Sequence, residues 1–439
     1  MTLCNSISFI SSAQALQDDK NHANNSHAKV QSQSLVLQRF PHNQFDKSLR
    51  AWDAADEYII DHLLSQNEQS DLKLSELKHI CIINDSFGAL SCALARLAPQ
   101  ATIDIYTDSY MSQCGIKQNL KANLDEQALL PNSLSNINIH SVMSLSSSSK
   151  NHSQFDLVLL KIPRTLAYLE YLLIEINKSM AANTVLVAGG MVKLVTSSVM
   201  RLFEKHTDQV NSSLARKKSR LIFAKHAPIK QYDSMQSLSI KDPAVDFTLH
   251  NFANVFCREQ VDIGARYLLA HLPTLNKTGH RVIDLGCGNG ILGTTLLRKH
   301  PQAKCYFVDE SYMAIASAKA TYENSGAEGK AEFLLSHSLL NFTQEQVDTV
   351  ICNPPFHQQN TVIDDIAWQM FVDAKKALKT GGELRIVGNR HLDHKAKLSK
   401  LFGGCKVVAS DKKFVILIAI KQVSWAEPDI QTCANQYKT

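Results

Sequence analysis

The pattern of apolar and polar positions changes character near residue 35. Residues 1–33 are rich in Ser, Asn, Gln and His and poor in large apolar side chains, so they are expected to form a disordered tail. Beyond it, short β-branched runs alternate with amphipathic stretches, a rhythm that predicts an α/β chain of mostly parallel, twisted sheets with helices on both faces. In the first half the pattern predicts helices over 51–64, 89–97 and 166–178, and strands over 79–83, 102–106, 155–160 and 184–188. In the second half it predicts helices over 261–272, 291–299, 313–324 and 367–378. Strands are expected there over 281–285, 304–308, 333–335, 347–351 and 383–387, with a closing pair near 407 and 415–420. The order of elements is the same in both halves.

Three segments recur in that order with a period of about 200 residues, which predicts one fold used twice. Ile82-Ile83-Asn84-Asp85-Ser86-Phe87-Gly88 stands where Val282-Ile283-Asp284-Leu285-Gly286 stands later. Tyr106-Thr107-Asp108-Ser109-Tyr110-Met111 echoes Val308-Asp309-Glu310-Ser311-Tyr312-Met313, and Phe155-Asp156-Leu157-Val158 through Pro163 parallels Val347-Asp348-Thr349-Val350 through Pro355. The expected division is a tail to residue 33, a first domain over 34–235, a second over 236–423, and a C-terminal tail over 424–439.

Composition narrows the class. With 439 residues, 44% of them hydrophobic and 20% charged, the chain can bury two real cores, which excludes a fibrous or disulfide-stapled protein. Lys and Arg total 46 against 41 Asp and Glu, and a net charge of +5 is too small to identify a nucleic-acid partner without knowing where the charges lie. The ten cysteines are scattered, with no C-x-x-C pair and no Cys/His cluster at zinc spacing, so no metal is expected and a reducing, cytoplasmic setting is. The first twenty residues lack a basic n-region and a long apolar core, and no apolar run approaches membrane-spanning length, so neither export nor a membrane is expected.

The candidate chemistry lies in the second half. Val282 to Gly293 reads as a buried strand, a turn rich in glycine (Gly286, Gly288, Gly290), and a helix start. Glycines let the backbone approach a ligand at the carboxyl edge of an α/β sheet. Gly288-x-Gly290-x-x-Gly293 also satisfies a dinucleotide pattern, so an NAD-dependent oxidoreductase is weighed against it, as is a ligand-free turn. Asp284, closing the strand just before the glycines, would face a pyrophosphate badly but suits an ammonium group. Asp309, ending the next strand, would accept from ribose hydroxyls with either ligand.

Asn353-Pro354-Pro355-Phe356 follows the fourth strand. The Asn353 side-chain oxygen and the Pro354 carbonyl could accept both hydrogens of a conjugated amine and aim its lone pair, while Phe356 offers a stacking face. With His357-Gln358-Gln359 appended, this segment resembles the class I S-adenosylmethionine-dependent methyltransferases that modify guanine N2 in ribosomal RNA. Further matches are Ala51-Trp52-Asp53-Ala54-Ala55-Asp56-Glu57-Tyr58, Phe87 to Ala95, Val255-Phe256 with Asp262-Ile263-Gly264, and Gly388-Asn389-Arg390-His391-Leu392.

The resemblance implies two tandem Rossmann-like class I methyltransferase domains, with cofactor contacts from Asp284, Gly286, Gly288 and Asp309 and the target base at Asn353, Pro354, Pro355 and Phe356. It points to large-subunit ribosomal RNA as substrate. Small-subunit guanine, adenine N6 and a protein glutamine amide are alternatives within the class, and a non-catalytic RNA-binding factor lies outside it. The turn Ser336-His337-Ser338 departs from the family, which tends to place an amide or acid near the adenine, and His337 is expected to be a solvated loop residue.

The first half keeps one glycine in its turn, and Lys161-Ile162-Pro163-Arg164 replaces Asn353 to Phe356. Lys and Arg cannot accept from an amine. That half is therefore expected to be inactive and to grip RNA phosphates through Lys161, Arg164, Arg216, Lys217, Lys218 and Arg220, ordinary surface charge being the competing reading of the cluster. An unpaired or flipped guanine in naked or partly assembled large-subunit RNA, met by a monomeric enzyme, is the expected substrate.

Overall fold

The computed structural model describes residues 6–9, 33–41, 49–69, 71–124, 135–145, 154–228, 237–275, 277–340, 342–355 and 361–422. The chain divides into two compact units, Met1–Ser237 with Ser311–Met313, and Leu238–Glu310 with Ala314–Thr439.

In the first unit, β1 (Ser6–Phe9) pairs antiparallel with β2 (Gln33–Val36). Four residues of the expected disordered tail therefore form a strand, because backbone pairing to β2 gives part of their amides and carbonyls partners. A seven-stranded sheet follows, made of β3 (His79–Ile83), β4 (Thr102–Thr107), β5 (Ile137–Ser141), β6 (Phe155–Lys161), β7 (Met180–Met191), β8 (Asp208–Ser212) and β9 (Ser219–Lys225). Its order is β5-β4-β3-β6-β7-β9-β8, and only the β7, β9 and β8 pairings are antiparallel.

The second unit opens with the antiparallel pair β10 (Leu238–Ile240) and β11 (Leu249–Asn251). It continues with β12 (Arg281–Leu285), β13 (Lys304–Asp309), β14 (Lys330–Leu335), β15 (Val347–Cys352), β16 (Leu378–Asn389), β17 (Lys406–Ser410) and β18 (Phe414–Ile420). The order β14-β13-β12-β15-β16-β18-β17 repeats that of the first sheet strand for strand.

Both faces of the second sheet are covered, as near-continuous apolar strands require. Val282, Phe307, Ile351 and Val387 pack on one side with Leu268, Leu292 and Leu296 of helices Ile263–Leu269 and Ile291–Lys299. Their strand neighbours Ile283, Val308, Val350 and Ile386 pack on the other with Phe371 and Leu398 of helices Thr361–Ala377 and His394–Phe402. Buried Cys81, Cys92, Cys287, Cys305 and Cys352 are unpaired thiols inside these cores.

The strand register corrects the pairing of the repeats. His79 and Arg281 each face the first residue of the next strand, Thr102 and Lys304, so Ile82 corresponds to Asp284 and Asn84 to Gly286. The glycine-turn match expected from sequence was therefore displaced by two residues. The later match holds: Asp156 and Asp348, each second in its strand, both accept from backbone amides at the start of the central strand, His79 N at 2.9 Å and Arg281 N at 3.0 Å.

Several elements escaped the periodicity. Helix Tyr110–Asn123 buries two asparagines on its inner side. Asn119 accepts from Gln38 N at 3.0 Å and donates to the Phe87 carbonyl at 2.7 Å, and Asn123 accepts from Val36 N at 2.9 Å. Satisfied polar groups in core positions hide an amphipathic pattern. β8, mostly exposed, shows no apolar alternation.

Lys161, expected on an RNA-facing surface, is only 6% exposed. Its Nζ lies 2.7 Å from both Asp53 Oδ1 and Asp56 Oδ1. Burial pushes the Asp56 carboxyl up to about 6 against the pull of Lys161. Burial would lower the lysine, but Asp56 and Asp53 hold it raised. Removing one partner of such a buried set strands the other charge, so Lys161→Ala should destabilise the protein by about 3–5 kcal/mol. Urea unfolding of the variant beside the parent checks this.

Candidate active site

Where a parallel sheet reverses its direction of growth, neighbouring strands send their connections to opposite faces and a crevice opens at the carboxyl edge. In the second unit this is β12, flanked by β13 and β15, with Leu285 opposite both Val308 and Cys352. The chain must pass at once from β12 into helix Ile291–Lys299. It does so through three left-handed glycines, Gly286 (φ 71), Gly288 (φ 54) and Gly290 (φ 76). The amides of Gly286 and Cys287 donate to the Val308 carbonyl at 2.8 and 3.0 Å, and that of Gly288 to Asp309 Oδ2 at 2.9 Å.

The glycines do different work. A Cβ at Gly290 would lie 2.8 Å from that of Ala318, and one at Gly293 would lie 2.5 Å from the Phe307 ring, so these two let the helix close on its neighbours. A Cβ at Gly288 meets no described atom within 4 Å. Its left-handed backbone borders open space, as a ligand cradle requires.

Asp284 is fully buried beneath this turn. Its Oδ2 accepts from Gly293 N at 2.9 Å, while Oδ1 has no hydrogen-bond partner among the described residues. Burial and, less strongly, Asp309 raise its carboxyl to about 7. A buried carboxylate with a spare acceptor, an open glycine cradle and a strand-end aspartate fit a cofactor that carries an ammonium group and ribose hydroxyls.

Asn353 follows β15, immediately beside Gly286 across the sheet. Its Nδ2 donates to Asp262 Oδ2 at 3.0 Å, and its Oδ1 is buried with no hydrogen-bond partner among the described residues. Pro354 is buried and Pro355 exposed, whereas Phe356 lies outside the described residues. The second unit thus brings Asp284, Gly286, Gly288, Asp309 and Asn353 to one edge.

Sequence reasoning assigned no role to the residues that brace this edge. Asp262 caps helix Ile263–Leu269 through Ala265 N at 2.9 Å. Fully buried Asn251 accepts from Asn289 Nδ2 in the glycine turn at 3.0 Å and donates to the Arg258 carbonyl at 2.7 Å. An aspartate before a helix is a readable cap, but its partner 91 residues away is not. His337, expected in solvent, is 6% exposed, and burial lowers its imidazole pKa. Its turn is drawn in by the buried Leu339 and by Ser336 N donating to the Asp309 carbonyl at 2.9 Å.

In the first unit the turn is filled. Asn84 (φ 63) occupies the position of Gly286, and buried Asp85 accepts from Gly88 N at 3.1 Å and Ser91 N at 2.9 Å. The basic residues differ in exposure and pairing. Arg164 and Lys218 are exposed, and Arg220 is half-buried. Arg216 pairs with Asp61 at 2.8 Å and Lys217 with Glu57 at 2.7 Å. Lys217 and Lys218 form the two-residue left-handed turn closed by the Arg216 and Ser219 backbones. Among the described residues no group of His, Cys, Asp and Glu could hold a metal ion, and no helix is long and apolar enough to cross a membrane.

Sheet order, glycine cradle and the Asn-Pro-Pro strand end define a class I methyltransferase that uses S-adenosylmethionine. Residues 25–228 match the RLMG N-terminal domain and residues 246–418 the methyltransferase small domain. Ribosomal RNA large subunit methyltransferase G of Yersinia pestis (strain Pestoides F) is 42% identical over 90% of this chain and 94% of its own length. The enzyme of the same name from Pseudoalteromonas translucida is 43% identical over 90% and 98%. The chain belongs to the ribosomal RNA large subunit methyltransferase G family. Its fold also matches a T. thermophilus 16S rRNA guanine-N2 methyltransferase solved with AdoMet and guanosine, with a TM-score of 0.66 at 19% identity over 89% of this chain and 95% of that one.

The glycines predict separable defects. Gly293→Ala should destabilise the fold by about 1–3 kcal/mol through its clash with Phe307, lowering the melting temperature, and spare cofactor affinity in the folded fraction. Gly288→Ala should cost about 1–2 kcal/mol of backbone strain and abolish most of that affinity. Calorimetry of unfolding and of S-adenosylmethionine binding separates the two.

Asp284 predicts a pH dependence. Its folded-state pKa lies above the ordinary aspartate value, so folding takes up a proton between about pH 4 and pH 7. The ligand-free protein therefore loses stability as the pH rises through that window. In Asp284→Asn this contribution should vanish, which melting curves at pH 5 and pH 8 would reveal as a smaller difference than in the parent.

Proposed function

We propose that the second unit transfers the methyl group of S-adenosylmethionine to the exocyclic N2 of one guanine in large-subunit ribosomal RNA. The products are N2-methylguanine and S-adenosylhomocysteine. The observation that carries this reading is the buried Asn353 Oδ1, without a hydrogen-bond partner among the described residues, in the same unit as the open glycine cradle.

The bound sulfonium supplies an electrophilic methyl group, which leaves the protein chiefly a problem of positioning. The amine of guanine is a poor nucleophile because its lone pair is conjugated into the ring. Asn353 Oδ1 and the Pro354 carbonyl accept its two hydrogens and draw the lone pair toward the methyl carbon. Alignment of this kind supplies up to about 7–11 kcal/mol in favourable cases. The methylated amine sheds one hydrogen as a proton to water, so no strong side-chain base is needed at Asn353. Pro354 and Pro355 stiffen the strand end, and Phe356 stacks on the base. Asp284, Gly286, Gly288 and Asp309 hold the cofactor.

Guanine N2 faces the minor groove of a helix, where its lone pair is out of reach, so the substrate is an unpaired or flipped guanine in naked or partly assembled RNA. The first unit lacks both the open turn and the acceptor and serves as an RNA grip, acting through phosphates near Arg164, Lys218 and Arg220, with Arg216 and Lys217 exchanging their carboxylate partners for RNA. Lys161 has no part in it. The enzyme works as a cytoplasmic monomer.

Incubation with unmodified ribosomal RNA and S-adenosylmethionine, followed by nucleoside mass spectrometry, should give N2-methylguanosine at one large-subunit position. N6-methyladenosine instead would overturn the assignment. Asn353→Ala should lose turnover by two orders of magnitude or more, by about 3 kcal/mol, and keep cofactor affinity.

A further inference from the structure

We propose that Asp262 is a positioning residue that locks the Asn353 amide in the one orientation presenting an acceptor to the target amine. The inference rests on the guanine-amine reading for its catalytic consequence, but its geometry stands apart from it. An amide can be rotated by 180° at little steric cost, and for Asn353 the two orientations are chemical opposites. One offers an oxygen to the crevice and the other an NH2 group, which would meet the hydrogens of the substrate amine head on.

The Asp262 carboxylate decides between them. An ionised carboxylate can only accept, so the group turned toward Asp262 Oδ2, at 3.0 Å, has to be Nδ2. Oδ1 is then the group turned away from Asp262, buried and without a hydrogen-bond partner among the described residues. Asp262 is itself held, because the same Oδ2 accepts from Ala265 N at 2.9 Å at the start of helix Ile263–Leu269. The helix start thus fixes the carboxylate, and the carboxylate fixes the amide.

The first unit repeats the arrangement with the chemistry removed. Asp53 caps helix Ala54–Glu68 through Ala55 N at 2.8 Å and receives the residue after Leu160, Lys161 Nζ, at 2.7 Å. The strand-end donor and the capping aspartate both persist. A lysine there has no second, accepting group to turn outward, so the clamp survives without the acceptor it would aim.

Asp262→Ser and Asp262→Thr test this, because each leaves a competent helix cap on a shorter side chain whose oxygen is drawn back from Asn353. Each should lower kcat on the order of tenfold or more, with KM for RNA and Kd for S-adenosylmethionine unchanged. In an Asn353→Ala background, Asp262→Ser should cause no further loss, because the aspartate acts only through the amide. The Asn353 side-chain NH2 resonances, assigned by their absence in Asn353→Ala, should shift and exchange faster in both Asp262 variants. Unchanged kcat, additive losses, or unmoved NH2 resonances would overturn the proposal. A parent enzyme that methylates no guanine, with NH2 resonances that still follow Asp262, would overturn the substrate reading and uphold the clamp.

Discussion

A strand that ends in the middle of a parallel sheet and turns straight into a helix leaves that helix with amides that nothing in the backbone can satisfy. Each unit meets this constraint with one buried aspartate under the helix start. In the second, Asp284 reaches up from the strand to the amide of Gly293, and in the first, Asp85 accepts from the corresponding Ser91. The two solutions have opposite consequences. A carboxylate supplied by the strand leaves the turn free to be rich in glycine and open, whereas one supplied by the turn itself fills it. The difference between an open turn and a packed one comes down to which side of the amide the acid occupies.

The rest of the catalytic edge is arranged around that open turn. Gly290 and Gly293 allow Ala318 and Phe307 to approach, which brings the helix close enough for Asp284 to reach its amide. Asp309 ties Gly288 to the adjacent strand, and Asn251 ties Asn289 to the segment before the Asp262 helix. The crevice is thereby braced on three sides by contacts among residues distant in the chain.

Much of this was legible in the sequence, and the boundary of legibility has a physical form. The doubled α/β order, the glycine turn and the Asn-Pro-Pro segment are local patterns, and the structure places them as read. What escaped depends on partners far along the chain. Lys161 looked like a surface cation because Asp53 and Asp56 lie more than a hundred residues earlier, and His337 looked solvated because nothing local announces the burial of its turn. The repeat was read two residues out because Asn84 in the first turn resembles Asp284 in the second strand more than Ile82 does. Helix Tyr110–Asn123 was missed because its buried asparagines are satisfied by backbone from other elements.

The Lys161 ion pair also distinguishes the two halves of the doubled fold. Where the second unit carries Asn353, the first carries an ion pair built into its core. An asparagine placed at position 161 would leave Asp56 and Asp53 without their cation in the core, and Asp85 would still crowd the turn. The ion pair thus ties the strand end of the first unit to its core: position 161 cannot change alone without stranding buried charge, whereas the exposed residues around it can.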